Sequence, residues 1–144
     1  MTCVFIDSRR EPTSLDLSVF DDAGICTKAF ASSLFRMMKW SNDQTATYLI
    51  LRPDPVHYFL PQFQKFPALV FDAGDSPEAY IEGLNSDPGE SPIDAVGTNW
   101  WECVIVPSSL RWFVHALRSD DNNGGHLWAP REWRGRLRDE GYFH

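Results

Sequence analysis

Apolar and polar residues alternate along some stretches of the chain and repeat at helical spacing along others. Residues 15–19 alternate Leu and Val with polar side chains, which is typical of a half-buried β-strand. Phe30 and Leu34 recur four apart among polar neighbours and predict a helix over residues 28–40. Apolar runs rich in β-branched and aromatic residues predict the other strands. The predicted strands cover residues 3–6, 15–20, 45–51, 67–71, 100–106, 110–117 and 126–128.

Proline and capping residues place the remaining helices. Ser76-Pro77-Glu78 is a helix start, because Ser caps a free N–H and Pro suits the first helical position, so a helix should run to about residue 84. Pro61 limits a helix after residue 56 to a turn or two, and Pro130 opens a terminal helix. These elements predict an α+β fold, a single domain over residues 1–144. Its mixed or antiparallel sheet should have about five to six strands, with two to four helices packed on it.

Composition narrows the class of protein. Of the 144 residues 43% are hydrophobic and 14% aromatic, too many for a disordered chain. The first residues lack a basic segment followed by an apolar core, so we expect a cytoplasmic protein. No apolar run approaches the roughly 18 residues of a membrane span. Cys3, Cys26 and Cys103 are odd in number and widely spaced, which favours reduced, mostly buried thiols over a zinc site or disulfide framework.

Negative charge is concentrated in the middle of the chain. Residues 66–110 contain eight carboxylates and no Lys or Arg, whereas the rest of the chain has 12 acidic and 13 basic residues. A surface that carries charge of a single sign attracts an oppositely charged partner and raises the rate at which the two proteins associate. We therefore interpret the segment as a surface that faces a partner. The alternative is that folding disperses these acids and that they serve only solubility.

The sequence contains few candidates for catalytic or metal-binding residues. Nucleophilic catalysis would need Cys103 with a base such as His115, although both residues lie in predicted strands and favour burial. Asp72 and Asp75 flank a glycine at a strand end, where metal-binding acids occur, but no further ligand lies at suitable spacing. We predict no catalytic residue, no metal and no cofactor. Nucleic acid is disfavoured as a partner, since the chain is acidic and its C-terminal arginines are followed by acids.

The segment Val104-Ile105-Val106-Pro107-Ser108-Ser109-Leu110-Arg111-Trp112, which continues through Phe113 to Arg118, resembles a segment of small bacterial immunity proteins. In those families an apolar strand, a Ser-containing turn and a Trp lead into a second strand that ends in Arg. Such proteins neutralise polymorphic or contact-dependent toxins, often nucleases, by binding them. The resemblance implies a toxin inhibitor without catalysis of its own. This chain differs in having residues 119–125 after the Arg, where those families have a short acidic strand.

Charge and resemblance together predict an immunity protein that binds a cationic toxin, such as a nuclease domain, through its acidic surface. Tandem Trp100 and Trp101 should divide between core and surface, and strict alternation places Trp100 on the side of Glu102. The predicted partner-binding residues are Asp72, Asp75, Glu78, Glu82, Asp87, Glu90, Asp94, Trp100 and Glu102. Two alternatives stay open: a small hydrolase that uses Asp72 and Asp75 or Cys103 and His115, and a generic adaptor.

Overall fold

The computed structural model describes residues 15–20, 22–65, 68–86, 100–118 and 124–139. The strands are β1 (Leu15–Phe20), β2 (Thr45–Arg52), β3 (Ala68–Asp72), β4 (Glu102–Pro107), β5 (Phe113–Leu117) and β6 (Gly124–Pro130). The α-helices are α1 (Lys28–Trp40), α2 (Leu60–Phe63), α3 (Pro77–Leu84) and α4 (Arg134–Asp139). Single turns of 3-10 or π-helix occupy Asp22–Cys26, Pro55–Phe59 and Arg131–Trp133. The strand predicted at residues 3–6 lies outside the described residues.

The strands form one sheet in the order β1-β6-β5-β4-β2-β3. Every neighbouring pair is antiparallel, and the first strand pairs with the last, with Leu15 opposite Pro130. The predicted α+β class is therefore confirmed, with a fully antiparallel sheet. That the whole chain forms a single domain stays a prediction.

Helix α1 covers one face of this sheet. The Thr27 side chain caps its first turn by accepting a hydrogen bond from the Phe30 N–H at 3.2 Å. Phe30, Leu34 and Met38 are fully buried, as the helical spacing predicts. Asn42, at a φ of 57°, directs the chain from the helix into β2.

The core lies between the helices and the inward face of the sheet. Ala46, Tyr48 and Ile50 alternate along β2 and are fully buried, and alternate residues of β4, β5 and β6 continue the same face. The side chains on the other face of β2, β4, β5 and β6 are mostly half-buried. Helices thus lie against one face of an antiparallel sheet, which explains the period-two pattern of the strands.

Helix α3 packs closely on β3. Ser76 caps it by accepting the Ala79 N–H at 3.2 Å, so the predicted start is confirmed. The Tyr80 ring lies 4.8 Å from the ring of Phe71, and its hydroxyl donates to the Ile25 carbonyl at 2.7 Å. A Cβ at Gly83 would lie only 3.2 Å from Phe71 Cε1, so the glycine permits this close approach.

A buried carboxylate joins the turn after α1 to the turn between β4 and β5. Asp43 is 3% exposed, and its Oδ2 accepts hydrogen bonds from the Ser41 hydroxyl and, at 3.0 Å, from the Trp112 indole N–H. Its Oδ1 accepts the Ser109 N–H at 2.6 Å and the Ser108 hydroxyl at 3.3 Å. Burial alone would raise the pKa of Asp43, but the hydrogen bonds from Ser41, Ser109 and Trp112 outweigh it and lower the pKa below its ordinary value.

Candidate functional site

The structure describes six of the nine predicted partner-binding residues and separates them into different environments. Asp72, Asp75, Glu78 and Glu82 lie on the end of β3, the following turn and α3. We call these four residues the β3–α3 acidic segment. Trp100 and Glu102 lie at the start of β4. Asp87, Glu90 and Asp94 fall outside the described residues.

Asp72 and Asp75 form a closed turn with each other. Asp75 Oδ2 accepts the Asp72 N–H at 2.9 Å, and the Asp75 N–H donates to the Asp72 carbonyl at 2.9 Å. One carboxylate oxygen of the pair is therefore already used by the backbone. Among the described residues no three His, Cys, Asp or Glu side chains come together as metal ligands. The hydrolase alternative based on Asp72 and Asp75 gains no support from this geometry, which indicates a turn.

Cations on α1 partly compensate the β3–α3 acidic segment. Lys28 Nζ lies 3.3 Å from Glu78 Oε1, and both side chains are largely exposed. Arg36 and Lys39 line an open cleft of about 390 Å³ whose opposite wall includes Asp75. An exposed ion pair of this kind contributes little to stability, but it lowers the local negative charge. The segment is acidic, although less so than the sequence alone indicates.

Glu102 lies apart from the β3–α3 acidic segment, and its role as a partner-binding residue stays a prediction. Asp72 lies opposite Thr45 at one end of β2, whereas Glu102 lies opposite Arg52 at the other end. Seven residue steps along a strand span about 23 Å. Carboxylates that are close in sequence are thus separated by the antiparallel register.

Glu102 is instead part of an ion-pair cluster. Its Oε2 lies 2.5 Å from Arg52 Nε, and its Oε1 lies 2.8 Å from His115 Nε2. Burial would raise the pKa of Glu102, but the hydrogen bonds and charges of His115 and Arg52 outweigh it and lower the pKa. The Glu102 side chain is only 22% exposed, while that of Arg52 is 62% exposed. Arg52 is therefore the member of the cluster that a partner can reach.

The tandem tryptophans divide between core and surface, as expected, but Trp100 as a partner contact is wrong. Trp100 is 1% exposed, and the Arg118 guanidinium lies 4.3 Å from the centre of its ring. Trp101 is 54% exposed. Strict alternation would have buried Trp101 together with Cys103. The alternation stops at Trp101 because this residue lies at a bend before β4, which begins at Glu102; opposite that point β2 has one extra residue, Leu51, in its pairing with β4.

The backbone of Trp101 is fixed on both sides. Its N–H donates to the Arg52 carbonyl at 2.7 Å, and its carbonyl accepts the Arg118 N–H at 2.7 Å. Trp101 thus bridges the ends of β2 and β5 while its indole faces solvent. We define the Trp101 site as Trp101, Arg52, Glu102, His115 and Arg118. Tryptophan and arginine are the residues most enriched at the energetic centres of protein interfaces.

The Cys103 and His115 pair predicted as an alternative catalytic site is wrong. Cys103 lies opposite Ala116 in the sheet, and His115 lies opposite Val104. Neighbouring positions along β4 and β5 point to opposite faces, so the thiol and the imidazole are on different sides of the sheet. Cys103 is also 1% exposed, and burial raises its pKa to about 12. A thiol in this environment stays protonated and is a poor nucleophile.

Similarity to known proteins adds nothing to these geometric findings. A comparison with protein-family models, curated proteins and solved structures finds no match to this chain. Within the described residues no helix is both long enough and apolar enough to cross a lipid bilayer. The Trp101 site and the β3–α3 acidic segment are the features of the described residues that bear on function.

Sequence reasoning did not include Trp101, Arg52 and Arg118 among the site residues. Arg52 was recognisable only as the residue before a strand-ending proline, and Arg118 only as the end of a strand. Their convergence on Trp101 depends on the register of three strands. The one available signal was the Trp-Trp pair itself, since two adjacent strand residues cannot both enter one core.

Proposed function

We propose that this chain is a toxin-neutralising binding protein of the immunity type, without catalysis of its own, whose partner is a basic protein domain such as a nuclease. The observation that carries the proposal is the exposed indole of Trp101 on a backbone held by Arg52 and Arg118. Such a side chain offers a large apolar contact surface. Binding of the partner costs little backbone conformational entropy at this residue, because its backbone is already held by hydrogen bonds.

The expected contribution of Trp101 is large. Aromatic anchors at the centre of an interface lose about 2 kcal/mol or more of binding free energy when truncated to alanine. That loss corresponds to a roughly 30-fold rise in Kd. The Arg52 carbonyl accepts the backbone N–H of Trp101, and the Arg52 side chain is 62% exposed, so its guanidinium can pair with an acidic or carbonyl group of the partner.

Charge supports a basic partner. The chain has a net charge of −7, and the β3–α3 acidic segment contributes four carboxylates, one of which pairs with Lys28. A nuclease toxin presents cations that bind phosphates, and a carboxylate surface can occupy them in place of nucleic acid. Affinity should then fall as salt rises, because the Debye length shortens from about 10 Å at 0.1 M to about 3 Å at 1 M.

The proposal is tested with the C-terminal domain of any large secreted protein encoded beside the gene for this chain. Cells that express that domain should survive only when this protein is co-expressed. Calorimetry on the purified pair should then compare wild type with Trp101→Ala. Leu110→Ala is the matched control, because Leu110 is 58% exposed but lies in the turn at the other end of β4.

Three results are expected: rescue of growth, at least a 30-fold weaker complex for Trp101→Ala, and no change for Leu110→Ala. Absence of binding and rescue would refute the proposed function. Equal effects of the two substitutions would refute the role of the Trp101 site.

A further inference from the structure

The face of the sheet that points away from α1 carries large apolar side chains. An antiparallel sheet with one solvated face normally has polar residues on that face. Here Val104 and Val106 of β4 point outward. The outward Phe113 ring of β5 stacks on the Trp128 ring of β6 at 5.7 Å. We define the outer apolar face as Leu49, Val70, Val104, Val106, Phe113 and Trp128.

The outer apolar face is accessible in the folded chain. None of its six residues is buried, and Val70 is 64% exposed. Tyr48 and Ile105, which lie on the same strands but face the helices, are fully buried. The described α-helices pack into that inward core, with side chains such as Leu34 of α1 and Leu137 of α4. A segment packed on the outer apolar face would bury it in the same way, so these six residues are open to a second protein surface.

Opposite charges lie at opposite ends of this side of the sheet. Arg52 is at one end of β2, where it pairs with the outward Glu102, and its side chain is 62% exposed. Asp72 lies opposite Thr45 at the other end of β2, about 23 Å away along the strand. Asp72 is exposed, and it points outward because the preceding residue, Phe71, is buried beneath α3.

Two copies of this chain fit each other through such a face. Packed sheets lie about 10 Å apart. A two-fold axis that runs across the strands stacks β2 on β2 in opposite directions, so Arg52 of one copy lies over the Asp72 end of the other copy. The same ion pair then forms twice, with the two apolar faces in contact between the pairs. An axis along the strands would instead bring Arg52 toward β6 and His126, and β6 contains no carboxylate.

The size of the face suits a dimer. The sheet has six strands of five to eight residues each. With about 4.8 Å between strands and about 3.3 Å per residue, its outline is roughly 29 by 20 Å, or about 580 Å². Side chains that stand up from a sheet expose more area than its outline, so each copy can approach the roughly 800 Å² that a standard interface buries per partner.

The charges make a basic toxin a poorer occupant of this face. Glu78 and Glu82 lie on α3, which packs on the opposite side of the sheet. Glu102 already accepts hydrogen bonds from Arg52 and His115. Apolar contact is therefore the main attraction that the outer face offers, and homodimer interfaces are the more apolar class of protein interface.

We infer that the free protein forms a two-fold dimer through the outer apolar face, in which the two sheets stack with β2 on β2 and Arg52 of each copy pairs with Asp72 of the other. This inference concerns the protein without any toxin and goes beyond the proposed function. Arg52 also belongs to the Trp101 site, so a toxin that contacts Arg52 would compete with the dimer.

Sedimentation of the full chain tests the inference, at protein concentrations from about 1 to 300 µM, a range that covers micromolar dissociation constants. Val70→Lys places a charge on the outer apolar face, and Leu110→Lys is its matched control, because Leu110 is 58% exposed but lies in the turn after β4. Asp72→Lys reverses the charge that meets Arg52. Glu82→Lys is its control, because it makes the same change in net charge at an exposed position of α3.

We expect wild type to dimerise in the micromolar range. Val70→Lys should raise the dimer Kd at least ten-fold and Asp72→Lys at least five-fold, whereas both controls should change it less than two-fold. A wild-type protein that stays monomeric over the whole range would overturn the inference. Equal effects of a face variant and its control would also overturn it.

A second measurement locates the contact without any substitution. Isotope-filtered nuclear Overhauser spectra of a mixture of labelled and unlabelled protein report contacts between copies only. Cross-copy contacts of the Val104, Val106 and Phe113 side chains are expected. A dimer whose cross-copy contacts involve other surfaces, such as the edge of β3, would overturn the inference. Neither assay contains a toxin domain, so the result does not depend on the proposed function.

Discussion

Replacing Asp43 by asparagine is expected to lower the free energy of unfolding by about 2–3 kcal/mol. The carboxylate accepts hydrogen bonds from Ser41, Ser108, Ser109 and Trp112 in a site that is 3% exposed. Asparagine has nearly the same shape but only one acceptor oxygen. Its amide nitrogen would place a donor against either the Trp112 indole N–H or the Ser109 N–H.

The magnitude follows from what the network can recover. A hydrogen bond to a charged group contributes about 1.5–3 kcal/mol, and asparagine loses at least one such bond and the charge on the others. Part of the lost stability is recovered, because the Ser41 hydroxyl oxygen lies 3.0 Å from Trp112 Nε1 and accepts a hydrogen bond from the indole N–H. The hydroxyl can then donate to the Met37 carbonyl at 2.9 Å. The net loss in the free energy of unfolding is therefore expected to be about 2–3 kcal/mol.

Urea unfolding followed by far-UV circular dichroism measures this change. With a slope of about 2 kcal/mol/M, the midpoint should fall by roughly 1–1.5 M. Glu82→Gln is the control, because it removes one carboxylate at an exposed position of α3 and should leave the midpoint unchanged. A double-mutant cycle with Trp112→Phe should give a coupling energy of about 1–2 kcal/mol. A coupling near zero would show that the indole and the carboxylate do not interact.

The dependence on pH adds an independent check. The pKa of Asp43 is lowered in the folded protein, so its stabilising contribution is present above the unfolded pKa and is lost as pH falls through the folded value. The stability difference between wild type and Asp43→Asn should be largest near neutral pH and should shrink below about pH 5. A difference that stays constant down to pH 3 would refute the reasoning that the charged form is the stabilising one.

Two further predictions concern the core and α3. Cys103 should resist alkylation by iodoacetamide at pH 8 in the native protein and react in guanidinium, because burial raises its thiol pKa to about 12. Peptide mass mapping measures the labelling, and labelled Cys103 in the native protein would contradict the prediction. Ser76→Ala removes the cap on the Ala79 N–H and should cost about 1 kcal/mol in urea unfolding, whereas Ser76→Asp should keep the stability. Equal losses for both variants would mean that the cap is unimportant.

Local signals in the sequence predicted the elements well. Ser76-Pro77-Glu78 marks the start of α3, and Pro130 marks the turn that leads into α4. Alternation identified β1, and apolar runs rich in β-branched and aromatic residues identified β2, β3 and β4. Caps and periodicity depend on neighbouring residues only, so a single sequence contains them.

The arrangement of the candidate site depends on distant residues and could not be predicted in this way. Eight successive carboxylates suggested one surface, yet the register of β2 with β3 and β4 places Asp72 and Glu102 at opposite ends of a strand. The bend before β4 leaves Trp101 exposed and Trp100 buried. No local signal marks Asp43 as a buried acceptor, because its partner Ser109 lies 66 positions later in the chain.

The pairing of β1 with β6 has a consequence for synthesis of the chain. About 100 residues separate Phe20, the last residue of β1, from Gly124, the first residue of β6. A ribosome adds roughly 5–20 residues per second, so β1 waits on the order of 5–20 s before its only described neighbour in the sheet exists. During that interval an apolar nascent strand is available to chaperones, and slowing translation between residues 20 and 124 would lengthen the time in which they can bind it.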